Sequence, residues 1–127
     1  MVCLPTRPVI LLVEDDPAVV NALKFSLELE GFEVSPYADG ETLLASRPLP
    51  ETGCLVIDYH LPGMDGLELL ARLRAEAVTL PAILITTNPR QSLLTQAAVA
   101  GVQIIEKPLL TDALLDSLRC ALGASHG

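Results

Sequence analysis

The chain has 127 residues, a length that fits one compact domain, and we expect a single domain over residues 1–127 with its core at about 8–122. Eight basic against sixteen acidic residues give a net charge of −8. This charge argues against direct binding to a nucleic-acid backbone, because counterion release requires a positive protein face.

The cysteines and the apolar runs limit the compartment in which the protein works. Cys3, Cys54 and Cys120 are odd in number and irregular in spacing, so they form neither a disulfide framework nor a metal site. The apolar run at 9–13 is far too short to span a bilayer. We therefore expect a reduced, cytoplasmic protein with no membrane contact, in which Cys54 is a small buried hydrophobic residue.

Apolar runs of strand length alternate along the chain with helical patterns. The predicted strands are residues 9–13, 32–36, 54–57, 81–85 and 102–105. Each helix has a start signal of a capping residue, a proline or a turn glycine, and these are Asp16-Pro17, Asp39-Gly40, the loop ending in Gly66, Asn88-Pro89 and Thr111. Gly31 and Gly101 end the first and fourth helices.

The strands are continuously apolar rather than alternating, which is typical of strands buried on both faces. The order, a strand and a helix repeated five times, therefore predicts an α/β sandwich of three layers with a central parallel sheet. Such sheets bind ligands beyond the carboxyl ends of their strands. The polar residues that interrupt the pattern all lie there, namely Glu14, Asp15, Asp16, Asp58, Thr86, Thr87 and Lys107.

Three of these residues, Glu14, Asp15 and Asp58, are carboxylates that follow strands expected to be neighbours. Like charges at close range repel unless a cation joins them, and an all-oxygen site suits Mg²⁺. Lys107 adds one positive charge and Thr86 a hydroxyl, so the set favours binding of a phosphoryl group. Asp58 stands alone at the end of its strand, which makes it the candidate nucleophile for an acyl phosphate.

Taken singly, the same residues have simpler interpretations. Asp15 and Asp16 could merely favour a helix N-terminus, Thr86 could bond to backbone, and Lys107 could be solvated. The side chain of His60 fits the rim of a site better than a magnesium ligand. Only their convergence on one sheet edge favours a functional site.

Four motifs together resemble the receiver domain of bacterial two-component response regulators. They are Leu-Val-Glu-Asp-Asp at 12–16, Val-Ile-Asp-Tyr-His-Leu-Pro-Gly-Met-Asp-Gly at 56–66, Ile-Thr-Thr at 85–87 and Glu-Lys-Pro at 106–108. The resemblance covers residues 9–122, with each motif at a strand end and in the same order. It implies a flavodoxin-like fold with strand order 2-1-3-4-5.

The resemblance also implies a metal site. Asp58 and Asp15 would bind Mg²⁺ through their side chains, Glu14 through a water molecule, and His60 through its backbone carbonyl.

For the phosphoryl group, the resemblance implies that Asp58 is the phosphoacceptor in a His-to-Asp phosphorelay. Thr86 would be the switch hydroxyl and Lys107 would pair with a phosphoryl oxygen, with a cis peptide bond between Lys107 and Pro108. The donor would be a sensor histidine kinase or a histidine phosphotransfer protein. The domain would be a switch that catalyses its own phosphotransfer and dephosphorylation rather than an enzyme, and it could form a homodimer through helix 4, strand 5 and helix 5.

The sequence departs from the family at one position of the switch. Receivers usually carry Tyr or Phe three residues before the lysine, where this chain has Ile104, and none of its four aromatic residues lies in the fifth strand. Activation is therefore expected to move residues 87–90 and the weak helix after them.

Two other functions fit parts of the pattern. A receiver-fold interaction module that works without phosphorylation would agree with the missing aromatic, but not with the intact set of Asp15, Asp58, Thr86 and Lys107. A flavodoxin-like cofactor binder would need a Ser/Thr/Gly-rich phosphate loop after the first strand, where this chain has Glu14 and acidic neighbours.

Overall fold

A computed structural model describes residues 8–46, 49–50, 52–87, 89–106 and 113–123 of the chain. Strands and helices alternate throughout these residues. The strands are β1 Val9–Val13, β2 Glu33–Tyr37, β3 Cys54–Asp58, β4 Ala82–Thr86 and β5 Gln103–Glu106. The helices are α1 Pro17–Leu29, α2 Gly40–Ala45, α3 Gly66–Ala75, α4 Gln91–Ala100 and α5 Ala113–Gly123.

The strands form one five-stranded sheet in the order β2-β1-β3-β4-β5, and every neighbouring pair is parallel. The predicted fold class and strand order are therefore confirmed. All five residues of β3 are buried, as its apolar sequence requires at the centre of the sheet.

Two apolar layers lie on opposite faces of the sheet, because side chains alternate along each strand. Leu11 and Ile57 pack with the buried residues of α2, α3 and α4, whereas Ile10 and Val56 pack with those of α1 and α5. Cys54 is in the second layer, and burial raises the pKa of its thiol to about 12, which agrees with its predicted role as a buried apolar residue.

Three helices each begin directly after an aspartate that caps them. The carboxylates of Asp16, Asp39 and Asp65 accept hydrogen bonds from the backbone N–H groups of Ala18 at 3.0 Å, Thr42 at 2.7 Å and Glu68 at 2.8 Å. Each bond satisfies a donor that has no partner within its helix. These caps fix where the chain turns from the sheet edge into a helix.

The start of α4 differs from the prediction. The helix begins at Gln91 with Arg90 as its N-cap, and Arg90 makes no side-chain capping bond. Pro89 thus lies before the helix instead of in its first turn. The first helical bond runs from the Leu94 N–H to the Arg90 carbonyl at 3.0 Å, so the turn closes two residues later than the Asn-Pro signal suggested.

The remaining differences are shifts of one residue or so at element ends. β2, β4 and β5 each begin and end one residue later than predicted, so Thr86 belongs to β4 itself. Gly66, assigned to the loop, is the first residue of α3. Gly101 ends α4 in the left-handed conformation at φ 72°, as predicted.

Several predictions lie outside the described residues. They concern the cap at Thr111, the cap at Asn88, the free Cys3, and Lys107 with its expected cis peptide bond to Pro108. Within the ranges that are described, no helix is long and apolar enough to cross a membrane.

Candidate functional site

The carboxylates after β1 and at the end of β3 meet at the carboxyl edge of the sheet. Val13 and Ile57 are register partners in the two strands, so the chain brings Glu14 and Asp58 side by side. Ligand oxygens of Glu14, Asp15 and Asp58 all lie within 4.8 Å of one another. The predicted convergence of the three acids is therefore present in the structure.

Backbone hydrogen bonds hold two of these acids in place. The N–H of Glu14 donates to the Tyr37 carbonyl at 3.0 Å, and the N–H of Asp16 donates to Glu14 Oε2 at 3.3 Å. On the other strand, the N–H of His60 donates to Asp58 Oδ1 at 3.2 Å. The main chain at residue 60 thus runs beside Asp58, while the side chain of His60 is exposed at the rim.

The three acids differ in burial. Glu14 is 2% exposed and Asp58 is 4% exposed, whereas Asp15 lies at the surface. Carboxylates this close repel one another, and burial strengthens the repulsion by lowering the local dielectric. An all-oxygen, partly exposed set of this kind fits Mg²⁺, which takes one or two carboxylates and keeps water in its other positions.

Thr86 lies next to Asp58 across the sheet. β3 and β4 pair in register, with Asp58 opposite Ile85, and the N–H of Tyr59 donates to the Ile85 carbonyl at 2.9 Å. Thr86 follows Ile85 and is 1% exposed. The structure therefore brings Thr86 to the same edge as the three acids, whereas Lys107 is outside the described residues.

Gly66 holds the start of α3 against β3, which the sequence did not reveal. Its N–H donates to the Tyr59 carbonyl at 2.9 Å. A Cβ at this position would lie 2.9 Å from the Asp58 carbonyl oxygen and 2.8 Å from Leu84 Cδ2. Only glycine allows this approach of the helix to the backbone of Asp58.

A groove of about 510 Å³ opens beside this edge, between the segment after β3 and the first turns of α4. Tyr59, His60 and Thr86 line one side, and Arg90 and Gln96 lie on the other. Tyr59 and His60 contact each other edge to face, with ring centroids 5.0 Å apart. Sequence reasoning missed Arg90, although a cation at a helix N-terminus is an unusual choice that could have marked it.

Ile104 lies on β5 opposite Leu84 and packs, partly buried, against the layer that contains α4. At the position where the resemblance implies an aromatic side chain, the chain thus has a branched aliphatic residue in contact with the core.

Comparisons with known proteins agree with this geometry. Residues 10–119 match the family of the response regulator receiver domain. The chain is 40% identical over 114 residues to the C4-dicarboxylate transport transcriptional regulatory protein DctD of Pseudomonas aeruginosa, covering 89% of this chain and 25% of DctD. It is 33% identical to the transcriptional regulatory protein FixJ of Bradyrhizobium diazoefficiens, covering 92% of this chain and 58% of FixJ.

The chain belongs to the response regulator receiver domain family. Solved structures agree: the crystal structure of FixJ-N superposes with a TM-score of 0.84 at 30% identity, covering 94% of this chain and 96% of that one. A CheY-like receiver domain from Methanospirillum hungatei gives 0.86 at 28% identity, covering 95% and 98%.

As a member of this family, the chain belongs with the receiver domains that act as signalling switches in response regulators. Receiver domains bind Mg²⁺ and are phosphorylated by histidine kinases, and the acidic cluster here has the donors for such an ion. The chain spans 25% of DctD and 58% of FixJ. Because both are transcriptional regulatory proteins, the expected absence of nucleic-acid contact stays a prediction, as does a cytoplasmic location.

Proposed function

We propose that Asp58 is a Mg²⁺-dependent phosphoacceptor that receives a phosphoryl group from a histidine kinase or a histidine phosphotransfer protein. The observation that carries the proposal is the cluster of Glu14, Asp15 and Asp58, with ligand oxygens within 4.8 Å at the carboxyl edge of β1 and β3. A lone buried carboxylate would gain nothing from two acidic neighbours, whereas a cation site beside a nucleophile requires them.

In the proposed reaction, a carboxylate oxygen of Asp58 attacks the phosphorus of a phosphohistidine. The P–N bond breaks as the new P–O bond forms, and the leaving imidazole keeps the electron pair and takes up a proton. The His60 N–H at Asp58 Oδ1 orients the carboxylate for this attack. Bound Mg²⁺ would neutralise charge on the phosphoryl oxygens.

We extend the proposal to the other site residues. Asp15 and Asp58 would hold Mg²⁺ directly, the buried Glu14 through a water molecule, and His60 through its carbonyl. Thr86, beside Asp58 in the adjacent strand, would donate its hydroxyl to a phosphoryl oxygen, and Lys107 would pair with another. Later attack of water on the phosphorus would return Asp58 to its free form.

Phosphorylation would change the surface around α4. The same surface is the one through which we propose a homodimer, formed by α4, β5 and α5. Helix α4 has no charged residue, and it exposes Leu94 at 39% and Val99 at 86%. Val99→Glu should abolish any dimer that forms on phosphorylation, whereas Phe25→Glu on α1, where Phe25 is 68% exposed, should leave it intact. Analytical ultracentrifugation with beryllofluoride would measure both, and an unaltered Val99→Glu dimer would contradict this surface.

The central experiment adds Mg²⁺ and acetyl phosphate to the purified chain and follows its intact mass. We expect the gain of one phosphoryl group, lost on removal of Mg²⁺ and absent in Asp58→Asn. The control is Glu33→Gln, which removes the same charge as Asp58→Asn. Glu33 is exposed at the amino end of β2, away from the carboxyl edge of the sheet, so this variant should be phosphorylated normally. Absence of any gain in the wild-type chain would favour a module that works without phosphorylation.

A further inference from the structure

The groove beside Asp58 joins two parts of the molecule that the proposed reaction leaves unconnected. One wall contains His60, whose N–H binds Asp58 Oδ1, and Thr86; the other is the start of α4 with Arg90. Arg90 and Thr86 thus line one space of about 510 Å³.

Arg90 occupies an electrostatically poor position in the chain as it stands. It is the N-cap of α4, where the helix dipole is positive, and the first turn of α4 contains no acidic residue. Its side chain is exposed and makes no capping bond. Within the described part of the chain, the ion pairs are Lys24 with Glu28 and Arg119 with Glu30, so Arg90 has no acidic partner there.

Thr86 adds a hydrogen-bond donor to the same groove. It is 1% exposed, yet it lines the groove. Its hydroxyl makes no hydrogen bond to any other residue in the described ranges. A hydroxyl, a guanidinium and the uncapped N-terminus of α4 thus line one space as donors. The acidic side chain that also lines it, Asp65, accepts the Glu68 N–H as the cap of α3.

We propose that Arg90 is a phosphoryl-binding residue that links α4 to the state of Asp58. This inference rests on the proposed function. Once Asp58 carries a phosphoryl group, the guanidinium donates across the groove to a phosphoryl oxygen, next to the Thr86 hydroxyl. A planar guanidinium suits a phosphoryl group because it can form two parallel hydrogen bonds.

The contact would give phosphorylation a route to α4 that needs no aromatic residue in β5. Arg90 is the N-cap of α4, so any displacement of its backbone is passed directly to the first turn of that helix. Ile104 would then remain in its core contacts with the α4 layer while the helix start moves. Arg90 would thereby be the group that moves residues 87–90.

The test is a titration of the chain with beryllofluoride, which mimics the phosphoryl group, in the presence of Mg²⁺. Two quantities are measured, namely the affinity for beryllofluoride and the change in the amide chemical shifts of residues 91–97. Arg90→Gln should weaken binding about three- to tenfold, since the contact is partly solvated, and should remove most of the α4 shifts. Arg90→Lys should recover part of the affinity through its charge. Arg72→Gln, an exposed arginine in the last turn of α3, is the control with equal charge and should bind within about twofold of wild type.

Two results would overturn the inference in distinguishable ways. If Arg90→Gln bound beryllofluoride as Arg72→Gln does and kept the α4 shifts, Arg90 would have no role while the phosphoacceptor proposal stood. If wild type failed to bind, or Asp58→Asn bound equally well, the proposed function itself would fail and the Arg90 contact with it.

Discussion

Gly66 is the single residue on which the position of Asp58 depends most directly. Gly66→Ala would place a Cβ 2.9 Å from the Asp58 carbonyl oxygen and 3.1 Å from Ile57 Cγ2, atoms of the central strand that cannot move aside. We expect it to lower the free energy of unfolding by about 1–3 kcal/mol. Urea denaturation followed by circular dichroism would measure the loss.

A second glycine provides a matched control for that substitution. Gly40 is also the first residue of a helix, but a Cβ there would meet Met64 Cγ and Sδ at 3.1 Å, the flexible part of a methionine side chain. Gly40→Ala should therefore cost less than Gly66→Ala. Equal costs for the two variants would show that closeness to the Asp58 backbone is not what requires glycine at position 66.

At the scale of elements, the start of α3 depends on the Asp65 cap. Its carboxylate accepts from the Glu68 N–H at 2.8 Å, so Asp65→Ala should destabilise the protein by about 1 kcal/mol through loss of that bond. Asp65→Ser keeps an oxygen acceptor and should restore most of the stability. Thermal unfolding of the three proteins would decide, and a Ser variant as unstable as the Ala variant would contradict a capping role.

The elements also show how far the sequence could predict this structure. Strands and most caps followed from local rules, because buried runs and aspartates before helices have strong, short-range signals. The start of α4 did not, since Asn88-Pro89 has the form of a cap signal but the first helical bond closes from Leu94 to Arg90. Where a helix begins depends on that bond, which no local pattern fixes to within one or two residues.

The candidate site was predictable to a similar degree, and for related reasons. Parallel strands bring their carboxyl ends to one edge, so the meeting of Glu14, Asp15 and Asp58 followed once the first and third strands were expected to be neighbours. The groove did not, because it depends on how the segment after β3 packs against α4. Arg90 could not be assigned to the site from the sequence, because Tyr59 and His60, which line the groove with it, are distant from it along the chain.

At the scale of the whole molecule, the acidic cluster should couple metal binding to stability. Without a divalent ion, Asp15→Asn should be at least as stable as wild type, because it removes one of three carboxylates within 4.8 Å. Mg²⁺ at one hundred times its dissociation constant should stabilise the wild type by about 2.7 kcal/mol, since it binds only the folded chain. Asp15→Asn should gain much less.

The measurement is the denaturation midpoint with and without Mg²⁺ at constant ionic strength, which removes general screening of the net charge of −8. Glu33→Gln changes the charge equally at the far end of β2 and should keep the full response to Mg²⁺. If both variants lost the response equally, Mg²⁺ would be acting on overall charge rather than at the cluster. A loss confined to Asp15→Asn would tie the stability of the whole domain to the same carboxylates that surround Asp58.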